Sequence, residues 1–145
     1  METIAVVLRQ PEQIELNRLA LTPPTADDVV VDVDWSGVST GTERLLWSGR
    51  MPPFPGMGYP LVPGYESVGR VVEAGTATGL HPGQRVFVPG AKCFGEVRGL
   101  FGASASRLVA TAKRVVPLDQ NLGERGILLA LAATAYHAIA DRKST

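Results

Sequence analysis

Along the first 120 positions, short runs alternate between apolar and polar side chains and are broken by glycine or proline. That pattern predicts many short strands joined by turns. Residues 3–8 and 14–21 predict a first hairpin, with Gln10, Pro11 and Glu12 as the turn. Residues 28–35 predict a half-buried strand, with Val29, Val31, Val33 and Trp35 on its apolar face and Val30, Asp32 and Asp34 facing solvent. On this reading Trp35 is a core residue, because large aromatic side chains mostly fill cores. Further strands are expected at 66–73, at 85–88 behind the turn His81-Pro-Gly-Gln, and at 106–111 and 114–117.

Two stretches interrupt the strands. Around Ser39-Thr-Gly-Thr-Glu43 small hydroxyl residues precede an acidic first turn, and Gly49 supplies a stop, so a helix of about two turns is expected. Residues 51–59 hold three prolines and two glycines and cannot be regular. Apolar yet irregular, this loop is a candidate surface for substrate. Residues 93–105 are glycine-rich and loop-like. From 121 to 141 the period becomes helical, with Ala133-Thr-Ala135 as the expected joint between two short helices.

Composition narrows the class. At 145 residues and 45% hydrophobic, the chain suits one compact domain. Fourteen basic and fourteen acidic residues cancel, and neither sign clusters, so a nucleic-acid or anionic-membrane partner is not expected. Cys93 is alone, no secretion signal opens the chain, and the longest apolar run, 127–133, is far below the roughly 18 residues of a membrane span. A cytoplasmic location without a membrane span is the expectation.

Four elements, Gly37-Val-Ser-Thr-Gly-Thr-Glu43, Pro63-Gly-Tyr-Glu-Ser-Val-Gly-Arg-Val-Val-Glu-Ala-Gly75, Pro82-Gly-Gln-Arg-Val86 and Thr134-Ala-Tyr-His-Ala138, occur in the order seen in the medium-chain dehydrogenases/reductases. The chain resembles the N-terminal catalytic domain of that superfamily. The resemblance implies a mainly β fold: a GroES-like, partly open β-barrel with short helices and a C-terminal helical segment. Residues 1–120 would form the substrate-binding domain and 121–145 would lead to a Rossmann domain that this chain lacks. The longer string from Trp35 to Glu66 is similar to the members that act in bacteriochlorophyll biosynthesis. That similarity implies oxidation of a 3-hydroxyethyl group on a chlorin or bacteriochlorin pigment to acetyl, with the hydride passing to NAD.

The departures are equally informative. Zinc-dependent members carry a cysteine, a histidine and a third ligand, leaving one position open for the alcohol. This chain offers Ser39, Tyr65 and Ala130 at the positions compared. A hydroxyl, a neutral phenol and a methyl group do not replace thiolate or imidazole, so no metal site and no zinc are expected. Without a metal, some side chain must accept the hydroxyl proton. Tyr65, Ser39 and Thr42 are the candidates, backed by Glu43 and Glu66, with Tyr65 first. Tyr65 could instead only tie off a backbone group. The glutamates are weighed more heavily as structural residues paired with Arg44 or Arg70. For a flat pigment, Trp47, Met51, Phe54, Met57 and Tyr59 are the candidate substrate contacts. Thr134 is a candidate cofactor contact. His81 and His137 belong to no recognisable triad and are expected to be structural, as is Cys93.

A dinucleotide site needs a strand, Gly-x-Gly-x-x-Gly and a helix. Gly56-Met-Gly58 is followed by Pro60 and no such helix. The chain is therefore expected to fold alone, as a monomer, but neither to bind NAD well nor to turn over alcohol; the complete enzyme could be a homodimer. Competing expectations are a zinc-independent quinone or enone reductase of the same superfamily and a non-enzymatic pigment-binding module.

Overall fold

The computed structural model describes residues 1–142; the end of the expected linker, 143–145, lies outside them. Among the described residues nine strands form two sheets. In the first, β1 (Glu2–Gln10) pairs antiparallel with β2 (Gln13–Ala20) and with β4 (Leu61–Val62), which pairs parallel with β7 (Arg98–Gly99). In the second, the order is β8 (Arg107–Thr111), β3 (Asp28–Ser36), β5 (Ser67–Ala74), β6 (Arg85–Val88) and β9 (Val116–Pro117), all antiparallel. The sheets meet where Ala5 bridges Ala105, and Val6 N–H donates to the Ser104 carbonyl at 2.9 Å. They do not close into a barrel.

The main core lies between the sheets and is built from small branched side chains, among them Val7, Val29, Val30, Val31, Val71, Val86 and Leu108. Such residues fill a pleated, twisted interior well. A second cluster, Leu8, Leu46, Leu61 and Leu100, sits beneath helix α1 (Thr42–Ser48). Gly49 ends α1 in the left-handed conformation, φ 70°, and its N–H returns to the Leu45 and Leu46 carbonyls, as a glycine stop signal requires.

Strand β3 corrects the simple alternation. Val29, Val30 and Val31 are all buried, and Trp35 is 50% exposed rather than in the core. Register shifts fall between Val30 and Val31 and between Val33 and Trp35. In the second, two residues of β3 stand opposite one of β5, which reverses the side-chain phase and turns Trp35 outward. Nor is the polar face simply solvated: Arg107 holds the Asp32 carboxylate with two nitrogens, one at 2.8 Å.

The tail also differs from expectation. A 3-10 segment, Gln120–Leu128, precedes α2 (Leu129–Asp141), and the break in helical geometry is at Gly123, φ 53°, not at Ala133 to Ala135, which lie inside α2. Alanine and threonine there keep the backbone bonds of a helix, whereas glycine tolerates the reversed dihedral. No residue of α2 is buried, and Leu131, Tyr136 and Ile139 are exposed. Among the described residues no helix is long and apolar enough to cross a membrane.

Candidate active site

Helix α1 and the strand ends beside it line an open cleft of about 500 Å³. Its walls are Val6 and Leu8 of β1, Ile14 of β2, Val38, Pro63 and Trp47. Its polar residues include Ser39, Thr40, Glu43 and Arg44. Glu43, Arg44 and Trp47 lie three and four residues apart along α1, so the helix presents them to one side, and Thr40 joins them from the turn just before it. Leu46, on the opposite side, is buried in the second cluster. A shallower groove of about 390 Å³ shares Val6, Val38 and Ser104 with the cleft and adds Leu16, Val33 and Trp35. The outward turn of Trp35 thus extends the apolar floor.

The candidates for proton handling come together at the inner side of α1. Ser39 Oγ accepts from Thr42 N–H at 3.4 Å, and Thr42 Oγ1 lies 3.4 Å from the Tyr65 hydroxyl. The Tyr65 ring is held edge-on against Phe101, centroids 5.4 Å apart at 82°. Glu66 is buried, with Oε1 unpartnered, and Glu43 Oε2 is likewise buried and unpartnered. Burial, reinforced by the nearby Glu66 carboxylate, raises the Glu43 acid above its ordinary range, partly offset by backbone N–H groups. Neither expected arginine partner is in place: Arg70 faces Asp34 at 3.7 Å, and Arg44 projects at the cleft without a partner among the described residues. Close packing at Gly37 keeps Glu66 where it is, since a Cβ there would lie 2.4 Å from its Oε2.

Of the residues expected to meet a pigment, Trp47 lines the cleft. Met51, Met57 and Tyr59 pack instead against the Leu8–Leu46–Leu61–Leu100 cluster. The Tyr59 hydroxyl donates to the Leu46 carbonyl, and burial raises its phenol. Phe54 is part-exposed in the same loop. Residues that the linear pattern did not single out, Val6, Leu8, Ile14 and Val38, supply most of the apolar wall; only the hairpin register could have pointed to them. Thr134 lies on exposed α2, its hydroxyl donating to the Ala130 carbonyl. Cys93 is buried, and burial raises its thiol. His137 is exposed, 3.9 Å from Asp141.

Two groups implied by the fold can be tested against these side chains. Among the described residues no three His, Cys, Asp or Glu side chains group as a metal centre would require. The groups beside Tyr65 are the hydroxyls of Ser39 and Thr42 and the carboxyls of Glu43 and Glu66, with no thiolate or imidazole among them, a set that does not fit a catalytic zinc. Gly56 and Gly58 lie in a loop that opens no helix, so this pair does not form the strand–turn–helix cradle of a dinucleotide pyrophosphate.

Two facing, mainly antiparallel sheets with a short helix beside an apolar cleft are the architecture of a GroES-like domain. The family model for the alcohol dehydrogenase GroES-like domain matches residues 25–120, and the chain belongs to that family. It is 58% identical over 141 residues to the 2-desacetyl-2-hydroxyethyl bacteriochlorophyllide A dehydrogenase of Rhodobacter capsulatus, covering 97% of this chain and 45% of that protein. It is 56% identical over 145 residues to the protein of the same name from Cereibacter sphaeroides, covering 97% of this chain and 46% of that one. The chain thus spans a little under half the length of these relatives. Its fold matches a structure from Sinorhizobium meliloti 1021, described as a zinc-binding dehydrogenase with NADP bound, with a TM-score of 0.70 and 26% identity over 88% of this chain and 42% of that one. A nicotinamide cofactor is therefore a property of the family.

Proposed function

We propose that this chain is the substrate-binding half of a zinc-independent, NAD-dependent dehydrogenase that oxidises the 3-hydroxyethyl group of a bacteriochlorophyllide-type pigment to acetyl. The relatives' names suggest the substrate, and the apolar cleft suits a flat macrocycle. The observation that carries the chemistry is Glu43: it lines that cleft, keeps one carboxyl oxygen unpartnered and has a raised affinity for a proton.

Oxidation requires the carbinol to lose its hydroxyl proton and its carbon to lose hydride. Glu43 accepts the proton, with Ser39 beside it on the cleft wall orienting the hydroxyl. Thr42 and Tyr65, paired behind them, give the proton an onward path. The apolar walls exclude water and hold the carbinol against the helix. Attachment of the carbinol to a conjugated ring spreads the positive character that builds as hydride departs, lowering the need for a Lewis acid. The hydride acceptor, a nicotinamide, belongs to the part of the relatives' length outside this chain, and α2 with its exposed apolar face would lead to it.

In the complete enzyme, Glu43→Gln should lower kcat by about 10²–10⁴-fold, the usual contribution of a positioned base, with the KM for pigment little changed. Tyr65→Phe should cost less. Unaltered turnover in Glu43→Gln with a large loss in Tyr65→Phe would move the base to Tyr65. A preference for quinones over hydroxyethyl pigment would favour the quinone reductase reading.

A further inference from the structure

The cleft carries a cation that no step above employs. Arg44 lines it among Val6, Leu8, Ile14, Val38 and Trp47, and has no ion-pair or hydrogen-bond partner among the described residues. Other arginines near the two grooves are engaged: Arg70 and Arg85 approach Asp34 at 3.7 and 3.8 Å, and Arg107 holds Asp32. Of the acids along the grooves, Asp34 is taken up by those two arginines, and Glu43 has no arginine within ion-pair distance. A lone guanidinium beside an apolar wall is matched by an apolar ligand with one carboxylate, because its planar fork pairs both oxygens at once.

We infer that Arg44 binds the propionate carboxylate of the pigment, so that the cleft selects the free acid over its ester. This rests on the cleft being the pigment site. A chlorophyllide differs from a chlorophyll in that this propionate is unesterified, so the group read by Arg44 marks a macrocycle that has not yet received its long alcohol. Arg44 lies one helical turn before Trp47, which places the cation beside the apolar floor. The extended groove past Val38 to Trp35 leaves room for the ring to lie flat across both. Arg44 acts on specificity and affinity; it takes no part in the proton or hydride step.

The test is equilibrium titration of the chain with monomeric hydroxyethyl bacteriochlorophyllide a and with its propionate methyl ester, followed by the pigment's absorbance shift. The wild-type chain should bind the acid about tenfold more tightly than the ester, the scale of one charge-assisted bidentate contact at a half-open site. Arg44→Gln should lose that tenfold for the acid and leave the ester unchanged, and Arg44→Lys should recover part of it. Equal binding of acid and ester by wild type, or equal weakening of both by Arg44→Gln, would overturn the role of Arg44 while leaving the cleft as the pigment site. Failure of either pigment to bind the wild-type chain would overturn the cleft itself, and the inference with it.

Discussion

Leu46 fastens α1 to the body of the domain, and with it the wall that carries Glu43, Arg44 and Trp47. Its side chain is 1% exposed and touches the Leu8, Leu61 and Leu100 cluster, with Met51, Met57 and Tyr59 packed around it. Leu46→Ala removes three carbons from that contact. At about 0.8 kcal/mol per buried carbon, the transfer loss is about 2.4 kcal/mol. A cavity term adds to this, and observed Leu→Ala losses run from about 2 to 5 kcal/mol. Two methionines border the site and adapt readily, so partial collapse should hold the total near 3 kcal/mol. Urea unfolding of the variant should show that loss with an unchanged slope, since the same surface is exposed. The helix is otherwise tied through its own carbonyls, which accept from Glu12 N–H at Trp47, 2.7 Å, and from the Tyr59 hydroxyl at Leu46. Local opening should therefore rise as well, and trypsin should cleave after Arg44 and Arg50 faster than in the wild type. A loss below about 1 kcal/mol with unchanged proteolysis would refute the claim that this cluster seats the cleft wall.

Two further outcomes follow from charge. Burial raises the Glu43 acid above its unfolded value, so its contribution is intact below about pH 4.5 and is lost as pH rises through the folded value; Glu43→Gln should be more stable than wild type near pH 7, equal to it near pH 4, and a wild-type-like profile in denaturant melts across that range would contradict this. Arg107 holds the Asp32 carboxyl below its ordinary 3.8, so that pair contributes above that pH and is lost as pH falls through the folded value; because both side chains are over a third exposed, Arg107→Ala should cost only about 1 kcal/mol at pH 7, a cost that shrinks as the pH is lowered into the acid range.

The linear pattern determined most of the architecture, because strand alternation, glycine and proline breaks and the α1 stop at Gly49 are local properties of a few adjacent residues. The resemblance of two motifs, far apart in the chain, to those of the dehydrogenase superfamily brought Ser39, Thr42, Glu43, Tyr65 and Glu66 forward as one group. The linear pattern could not see Trp35 turn outward, because a bulge in β3 depends on its pairing with β5 and reverses side-chain phase without changing composition. Nor could it separate Trp47 in the cleft from Met51, Met57 and Tyr59 in the packing beneath α1, since both sets are apolar and near one another in sequence. Assigning the cleft wall to Val6, Leu8 and Ile14, and leaving Arg44 without an acid while Arg70 and Arg85 share Asp34, took the tertiary structure: which charges meet and which stay free is decided by strand register and distance, and neither is written in any single segment.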